Sequence, residues 1–353
     1  MSSTGNTTFR LSKAAKAGGC AAKIGLADLR ALVQPLIGMG LEPRHGGSVL
    51  VGAETGDDAG VYLIDGLALI ATADFIPPLC DDPRRFGRIA AANALSDVWA
   101  MGGEPLFALN LCCFPTGDVP EEVLSGILTG GAEALREAGA VLLGGHSIRD
   151  PELKFGMAVI GRGNVDTLFT NAGALPGERL ILTKPLGSGV LVNAFKFDKI
   201  DAEGLEPALR EMERLNGPAS RLALTHGVRA ATDITGFGLV GHAMNIARNS
   251  NLRLRIAFDA LPVHPGFGVL VAQGVTTGCT RGNRSSIETW LRMPSSMSTV
   301  DAELLFDPQT SGGLLFSVPA ARGVDLLAAL RASGHLAAEI GETLTGEASV
   351  EIV

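Results

Sequence analysis

The chemistry in this 353-residue chain gathers on one cysteine, one lysine and five aspartates. Cys20 and Lys23 lie three residues apart in Gly18-Gly19-Cys20-Ala21-Ala22-Lys23. A nearby ammonium favours a thiolate, and flanking glycines let such a segment fold over a substrate. Lys23 also suits a phosphate. The alternative is an incidental cysteine on a solvated tail. Asp57 and Asp58 sit in Thr55-Gly56-Asp57-Asp58-Ala59-Gly60. Adjacent carboxylates there are hard oxygen donors suited to Mg²⁺, although Asp and Gly also populate ordinary turns. Asp74 follows an apolar run. Asp97 interrupts a small, apolar helical stretch, where a buried charge needs a partner or a metal; it could instead face water. Gly144-Gly145-His146-Ser147 ends an apolar strand, and its amides and hydroxyl could cradle phosphate oxygens.

A second motif competes. Gly236, Gly238 and Gly241 match GxGxxG after a short strand, with Asp259 beyond, which by rule suggests a dinucleotide site and an NAD-dependent dehydrogenase. That reading leaves Cys20, Asp58, Asp97 and Asp233 without a role. The whole set fits Mg²⁺-nucleotide chemistry better, because carboxylates hold cations that neutralise phosphate charge. No GxxxxGK[ST] loop and no kinase HRD or DFG set occurs. An ATP enzyme here needs another architecture.

Those residues need elements to hold them. Strands are expected at Ser48–Val51, Val61–Ile64, Leu67–Ala73, Leu106–Phe114, Ala140–Leu143 and Phe155–Gly161. Helices are expected at Phe86–Met101 and Pro120–Ala138, and the first places Asn93 and Asp97 on one face. A polar stretch around Arg162–Gly177 marks a domain boundary. Beyond it, strands at Arg179–Thr183, Val228–Thr232, Leu252–Phe258 and Leu314–Val318 alternate with helices, including Leu239–Asn249 and Ala320–Ala332. The pattern is α/β or α+β in two domains.

Composition bounds the function. Apolar residues are 46% of the chain, enough for real cores. The net charge of −8 argues against a nucleic-acid partner. It is asymmetric: Met1–Ala27 carries Arg10, Lys13, Lys16 and Lys23 with no acid, so the arm is +4 and the remainder −12. The arm is expected to be mobile and exposed. Five cysteines without a CxxC pair fit neither a disulfide framework nor zinc, so a reducing cytoplasm is expected. No apolar run is long enough to span a membrane.

The motifs together resemble the selenophosphate synthetases (selenide, water dikinases) over nearly the whole chain. The match runs through Gly19–Lys23, Thr55–Ala59, Thr72–Phe75, Phe86–Asp97, Gly144–Ser147, Leu182–Gly187, Thr232–Gly238 and Asp307–Gly313. The resemblance implies a two-domain synthetase fold related to aminoimidazole ribonucleotide synthetase: a mobile arm over 1–25, an ATP- and Mg-binding dimerisation domain over 26–165, and a C-terminal α/β domain over 166–353. The N-terminal domains would share a β-barrel-like core in a homodimer. It implies the reaction of ATP, selenide and water to selenophosphate, AMP and phosphate. Cys20 would handle selenium and Lys23 the transferred phosphate. Asp58, Asp97 and Asp233 would hold Mg²⁺. Thr55, Gly56, Asp57, Asp74, Gly145, His146 and Ser147, with Lys23 and Asp97, would contact ATP. Relatives often carry a second cysteine where this chain has Ala22, so no disulfide can form within the loop. Another ATP-dependent kinase of that superfamily, or a selenium or thiol carrier, are the alternatives.

Overall fold

The computed structural model describes residues 9–23, 32, 33, 35, 47–115 and 119–353. The expected boundary at residue 25 falls outside them.

The first sheet has six strands: β1 (Ser48–Val51), β2 (Gly60–Ile64), β3 (Leu67–Ile76), β4 (Glu104–Phe114), β5 (Val141–Arg149) and β6 (Lys154–Gly163). Their spatial order is β1-β2-β3-β6-β4-β5. All neighbours are antiparallel except β4 and β5. Two helices cover one face, α1 (Pro83–Ala100) and α2 (Glu121–Ala138). Asp82 caps α1, its side chain accepting from the amides of Arg84 and Arg85, and Pro83 pre-sets the first turn. Gly87 of α1 and Gly130 of α2 let the two backbones touch. A Cβ at Gly87 would lie 1.9 Å from the Ile127 carbonyl oxygen, and one at Gly130 would lie 1.8 Å from that of Arg84.

The second sheet contains β7 (Arg179–Leu182), β8 (Ala230–Asp233), β9 (Arg253–Ile256), β10 (Leu291–Arg292), β11 (Leu314–Val318), β12 (Ala338–Leu344) and β13 (Ser349–Ile352), in the order β10-β13-β9-β12-β7-β11-β8. Around it pack α3 (Ser188–Lys196), α4 (Ala202–Glu213), α5 (Gly217–Thr225) and α6 (Gly238–Ser250). The expected α/β class is the observed one. Three helices at Phe267–Ala272, Thr280–Ile287 and Thr299–Phe306 carry no clear sequence pattern and were not anticipated.

α1 is the hinge pin between the halves. It is buried almost all round, because Ala90, Ala91, Ala92 and Ala94 leave room for neighbours on every side. Asn216 donates to the Ser96 hydroxyl at 2.8 Å, and the Ser220 hydroxyl donates to the Trp99 carbonyl at 2.7 Å. The helix that carries Asn93 and Asp97 is thus fixed by both sheets.

One expectation fails at β5. The strand does not stop at Leu143; it continues through Gly144-Gly145-His146-Ser147 to Arg149, and all nine of its residues are exposed. The glycines allow it. Gly144 and Gly145 have φ of 137° and 155°, and a Cβ at Gly145 would meet the Asn110 backbone at 2.3 Å.

Among the described residues, no helix is long and apolar enough to cross a membrane.

Candidate active site

The cleft lies where the end of β3, the Gly56–Asp58 turn, the middle of α1 and the end of β8 converge. Lys23, Gly56, Asp57, Asp58, Asp74, Asp97 and Asp233 all line it, and its volume is about 200 Å³. Residues scattered over the sequence therefore meet in one place. Larger grooves exist elsewhere. One of about 420 Å³ is lined by Arg179, Arg255, Glu339 and Glu342. Two of its charge pairs are Arg179 with Glu339 and Arg255 with Glu342, and it does not hold the cluster of aspartates found in the acidic cleft.

Two of the carboxylates each accept from a threonine hydroxyl. The Thr72 hydroxyl donates to Asp97 at 2.5 Å, and the Thr232 hydroxyl donates to Asp58 at 2.9 Å. One oxygen each of Asp58 and Asp233 is buried with no hydrogen-bond partner. Burial, then the neighbouring Asp233 and Asp97 charges, holds the Asp58 carboxyl well above the usual carboxylate range. Burial, then Asp233 and Asp74, does the same to Asp97. Asp233 is also raised, chiefly by burial. Orphaned buried oxygens on crowded carboxylates are what a divalent cation satisfies. Ligand atoms from Asp58, Asp233 and His242 lie within 4.8 Å of one another. Asp97 lines the same cleft but stands outside that tight group.

Asp57 plays a different part. It accepts from the Asn171 amide at 2.6 Å, and Asn171 and Asn245 side chains donate to the Gly56 carbonyl at 3.0 and 3.3 Å. These bonds fix the turn that aims Asp58. Thr55 bonds Asp57 through its hydroxyl and is not among the residues lining the cleft.

Cys20 and Lys23 reach the cleft by docking of the basic segment. The exposed setting expected for Cys20 is corrected: the side chain is fully buried. The segment is anchored by Leu11, also buried, and by ion pairs from Arg10 to Asp81 at 2.8 Å and from Lys13 to Asp198 at 2.8 Å. Exposed pairs of this kind each contribute about 0–1 kcal/mol, so the buried apolar side chains carry the docking. Gly19 is required here. Its φ is +55°, and a Cβ would fall 2.2 Å from the Thr310 hydroxyl oxygen. That hydroxyl accepts the Cys20 amide at 2.9 Å.

Electrostatics at Cys20 also reverses the expectation. Burial pushes the thiol up to about 12, outweighing the Lys23 ammonium. Its Sγ–H donates to Asn93 Oδ1 at 3.4 Å, and Asn93 Nδ2 donates to Asp74 at 2.5 Å. Lys23 Nζ donates to the same Asp74 oxygen at 2.9 Å. Burial acts to discharge Lys23, but Asp74, Cys20 and Asp97 together more than offset it and the ammonium stays charged. In this docked state Cys20 is a shielded thiol. Iodoacetamide at pH 7 should therefore label Cys20 far more slowly than the half-buried Cys113. Peptide mass spectrometry reads both sites, and equal rates would mean the segment does not dock.

Gly145, His146 and Ser147 are not brought to this cleft within one chain. Asp74, Met157, Asn110 and Gly145 form one row across β3, β6, β4 and β5. At about 4.8 Å per strand, Gly145 lies roughly 14 Å from Asp74.

The GxGxxG glycines serve packing instead. β8 ends an edge of a mixed sheet and pairs antiparallel with β11, which is not the parallel β-α-β setting of a dinucleotide site. A Cβ at Gly236 would strike the Lys23 side chain at 2.9 Å, and one at Gly238 the Phe306 backbone at 2.8 Å.

Comparison with known proteins agrees with this geometry. Residues 56–163 match the N-terminal domain family of AIR synthase related proteins, and 176–353 match the corresponding C-terminal domain family. A selenide, water dikinase of Geobacter metallireducens is 46% identical over 340 residues, covering 95% of this chain and 97% of that protein. One of Myxococcus xanthus is 44% identical, covering 98% and 97%. The chain belongs to the selenide, water dikinase family. Solved structures with the same fold include thiamine monophosphate kinase from Aquifex aeolicus, with a TM-score of 0.64, 18% identity and coverage of 93% and 98%. The Escherichia coli hydrogenase maturation protein HypE has a TM-score of 0.59, 21% identity and coverage of 80% and 82%. Polar residues that set the site without a signal in the sequence include Thr72, Thr232, Thr310 and His242. Each lies inside or next to a matched motif, but a hydroxyl or imidazole that supports another side chain leaves no spacing signal.

Proposed function

We propose that the acidic cleft binds ATP with Mg²⁺, and that Cys20 and Lys23 serve the selenium and phosphoryl steps of selenophosphate synthesis. The enzyme makes selenophosphate from selenide, water and ATP, releasing AMP and phosphate. The observation that carries the site assignment is the convergence of Lys23 and five aspartates on one cleft beside Cys20. A HypE structure in complex with ATP, with a TM-score of 0.58 to this chain, adds a precedent for the nucleotide on this fold.

Asp58, Asp97 and Asp233 fit a divalent cation, because they offer crowded oxygens, two of them orphaned. When bound, Mg²⁺ supplies charge to offset the repulsion between the ATP tail and an anionic selenide. The protein's own residues do the rest. Lys23 exchanges its Asp74 partner for a phosphate oxygen. Asp57, Thr55 and Gly56 hold the turn against the nucleotide. The docked segment excludes water from the first transfer.

A cleft of about 200 Å³ is below the roughly 300–1,000 Å³ of typical ligand pockets. It needs completion or widening. We read β5 as the completing element, supplied through a homodimer. Val141, Leu143 and Ile148 stand exposed on this edge strand, at 57%, 61% and 48%. A long apolar edge is an aggregation hazard unless something covers it. In this reading two N-terminal sheets share a β-barrel-like core, residues 1–25 form the arm, 26–165 the nucleotide and dimerisation domain, and 166–353 the second α/β domain. The setting is the cytoplasm. Leu143→Asp with Ile148→Asp should convert dimer to monomer in light scattering and abolish AMP formation. A dimer that survives both changes would move the interface elsewhere.

The direct test of function is anaerobic incubation of protein, ATP, Mg²⁺ and selenide, followed by phosphorus NMR. Selenophosphate and AMP in equal amounts, over many turnovers per chain, are expected. Stoichiometric capture of selenium without AMP would instead indicate a carrier.

A further inference from the structure

The imidazole of His242 sits beside two of the acidic residues and invites a reading as a metal ligand. The hydrogen bonds say otherwise. The backbone N–H of Thr235 donates to His242 Nε2 at 3.2 Å, and the Thr235 hydroxyl lies 3.3 Å from the same nitrogen. Nε2 is therefore an acceptor and already engaged, which leaves the ring proton on Nδ1. Nδ1 faces the Thr232 hydroxyl at 3.4 Å. That hydroxyl has one proton, and its shorter contact is Asp58 Oδ1 at 2.9 Å, against 3.3 Å to the Asp233 carbonyl. The donors thus run in one direction, from Thr235 to His242 to Thr232 to Asp58. The chain ends on Asp58 Oδ1, and it is the other oxygen, Oδ2, that is buried without a partner.

The imidazole is well placed to be rigid. His242 and Thr232 are 5% and 1% exposed. The Phe237 ring packs on His242 with centroids 5.4 Å apart. With Nε2 accepting the Thr235 N–H, the ring has one proton to donate, on Nδ1.

We propose that His242 is a positioning residue which, through Thr232, fixes the rotation of the Asp58 carboxylate so that its free oxygen faces a divalent cation. This rests on the reading of Asp58 as a cation ligand. Outer partners that orient a ligand change metal affinity by about 10–100-fold when removed.

The probe is Mn²⁺ binding to the full chain by calorimetry, with and without a non-hydrolysable ATP analogue. Thr232→Val and His242→Leu should each raise the Mn²⁺ dissociation constant about 10–100-fold. The double variant should be no worse than the weaker single, because both break one chain. Thr232→Ser keeps the hydroxyl, and His242→Asn keeps a donor at the place of Nδ1; both should stay close to the parent. Thr232→Val is nearly isosteric, so it carries the test if His242→Leu fails to fold. Spin-echo spectroscopy of bound Mn²⁺ should find no directly coordinated imidazole nitrogen. A coordinated nitrogen would make His242 a ligand and overturn the positioning role. Asp58→Asn separates the two layers. If it leaves Mn²⁺ binding unchanged, or if the parent binds none, the underlying cation assignment fails. If it weakens binding while Thr232→Val and His242→Leu do not, only the relay from His242 fails.

Discussion

Cys20→Ser should abolish selenide-dependent AMP formation while ATP binding stays near the parent value. The reasoning starts from size and surroundings. Serine is smaller than cysteine, so the fully buried position accepts it without displacing Asn93 or Thr310. The Cys20 amide still donates to Thr310, and Lys23 still reaches Asp74. The nucleotide end of the cleft is therefore left intact. What is lost is the polarizable sulfur, the one atom at this place suited to selenium. A hydroxyl at that position is a poor nucleophile and a poor partner for selenide. ATP titration and AMP release, measured with free selenide, check both halves. Full turnover with free selenide would remove Cys20 from the chemistry and leave it at most a delivery role.

The resting environment of Cys20 sharpens this expectation. The thiol is shielded and held up to about 12 by burial, so the docked state stores it unreactive. Lys23 is engaged with Asp74 in the same state. Asn93 and Lys23 share one Asp74 oxygen, so Cys20, Asn93, Asp74 and Lys23 form one hydrogen-bonded chain.

How much of this was readable from the sequence divides along a physical line. Asp58, Asp97, Asp233 and Lys23 stand at turns, strand ends or on a helix of small residues, and local chemistry singled them out. The α/β class followed from alternating short strands and helices. The misreadings concern partners distant in sequence. Cys20 is buried because Thr310, 290 residues away, lies over it. The Gly144-Gly145-His146-Ser147 run looks like a loop, yet pairing with β4 draws it into a strand. The glycines at 236, 238 and 241 match a dinucleotide rule by spacing, while the first two admit the Lys23 stem and the Phe306 backbone and the third the Phe237 side chain. Spacing reports what one segment can do. It is silent on which remote atom will fill the space.

Asp97→Asn should lower turnover by about 10²–10³-fold, the range for removing one preorganised electrostatic group, and should weaken Mg²⁺-dependent ATP binding. At the same time it should make the metal-free protein more stable. Asp97 is half-buried, and partial burial with the charges of Asp233 and Asp74 raises its carboxyl well above the usual range. The sign follows from proton counting. Above its ordinary value near 3.8 the unfolded chain gives up this proton first, so the native state binds more protons. Stability then falls as pH rises through that window, and at neutral pH the native carboxylate is a net cost. Asparagine matches the shape and still accepts from the Thr72 hydroxyl, now at 2.5 Å from Asp97, but carries no charge. Thermal unfolding without metal should therefore move up by a few degrees in the variant, and the gain should shrink at acid pH, where the parent carboxyl is already protonated. Adding Mg²⁺ with ATP should reverse the ranking, because only the parent retains the anionic ligand. A variant that loses stability in the metal-free state would contradict the crowding argument. One that keeps both its Mg²⁺-ATP affinity and its turnover would remove Asp97 from the cation site.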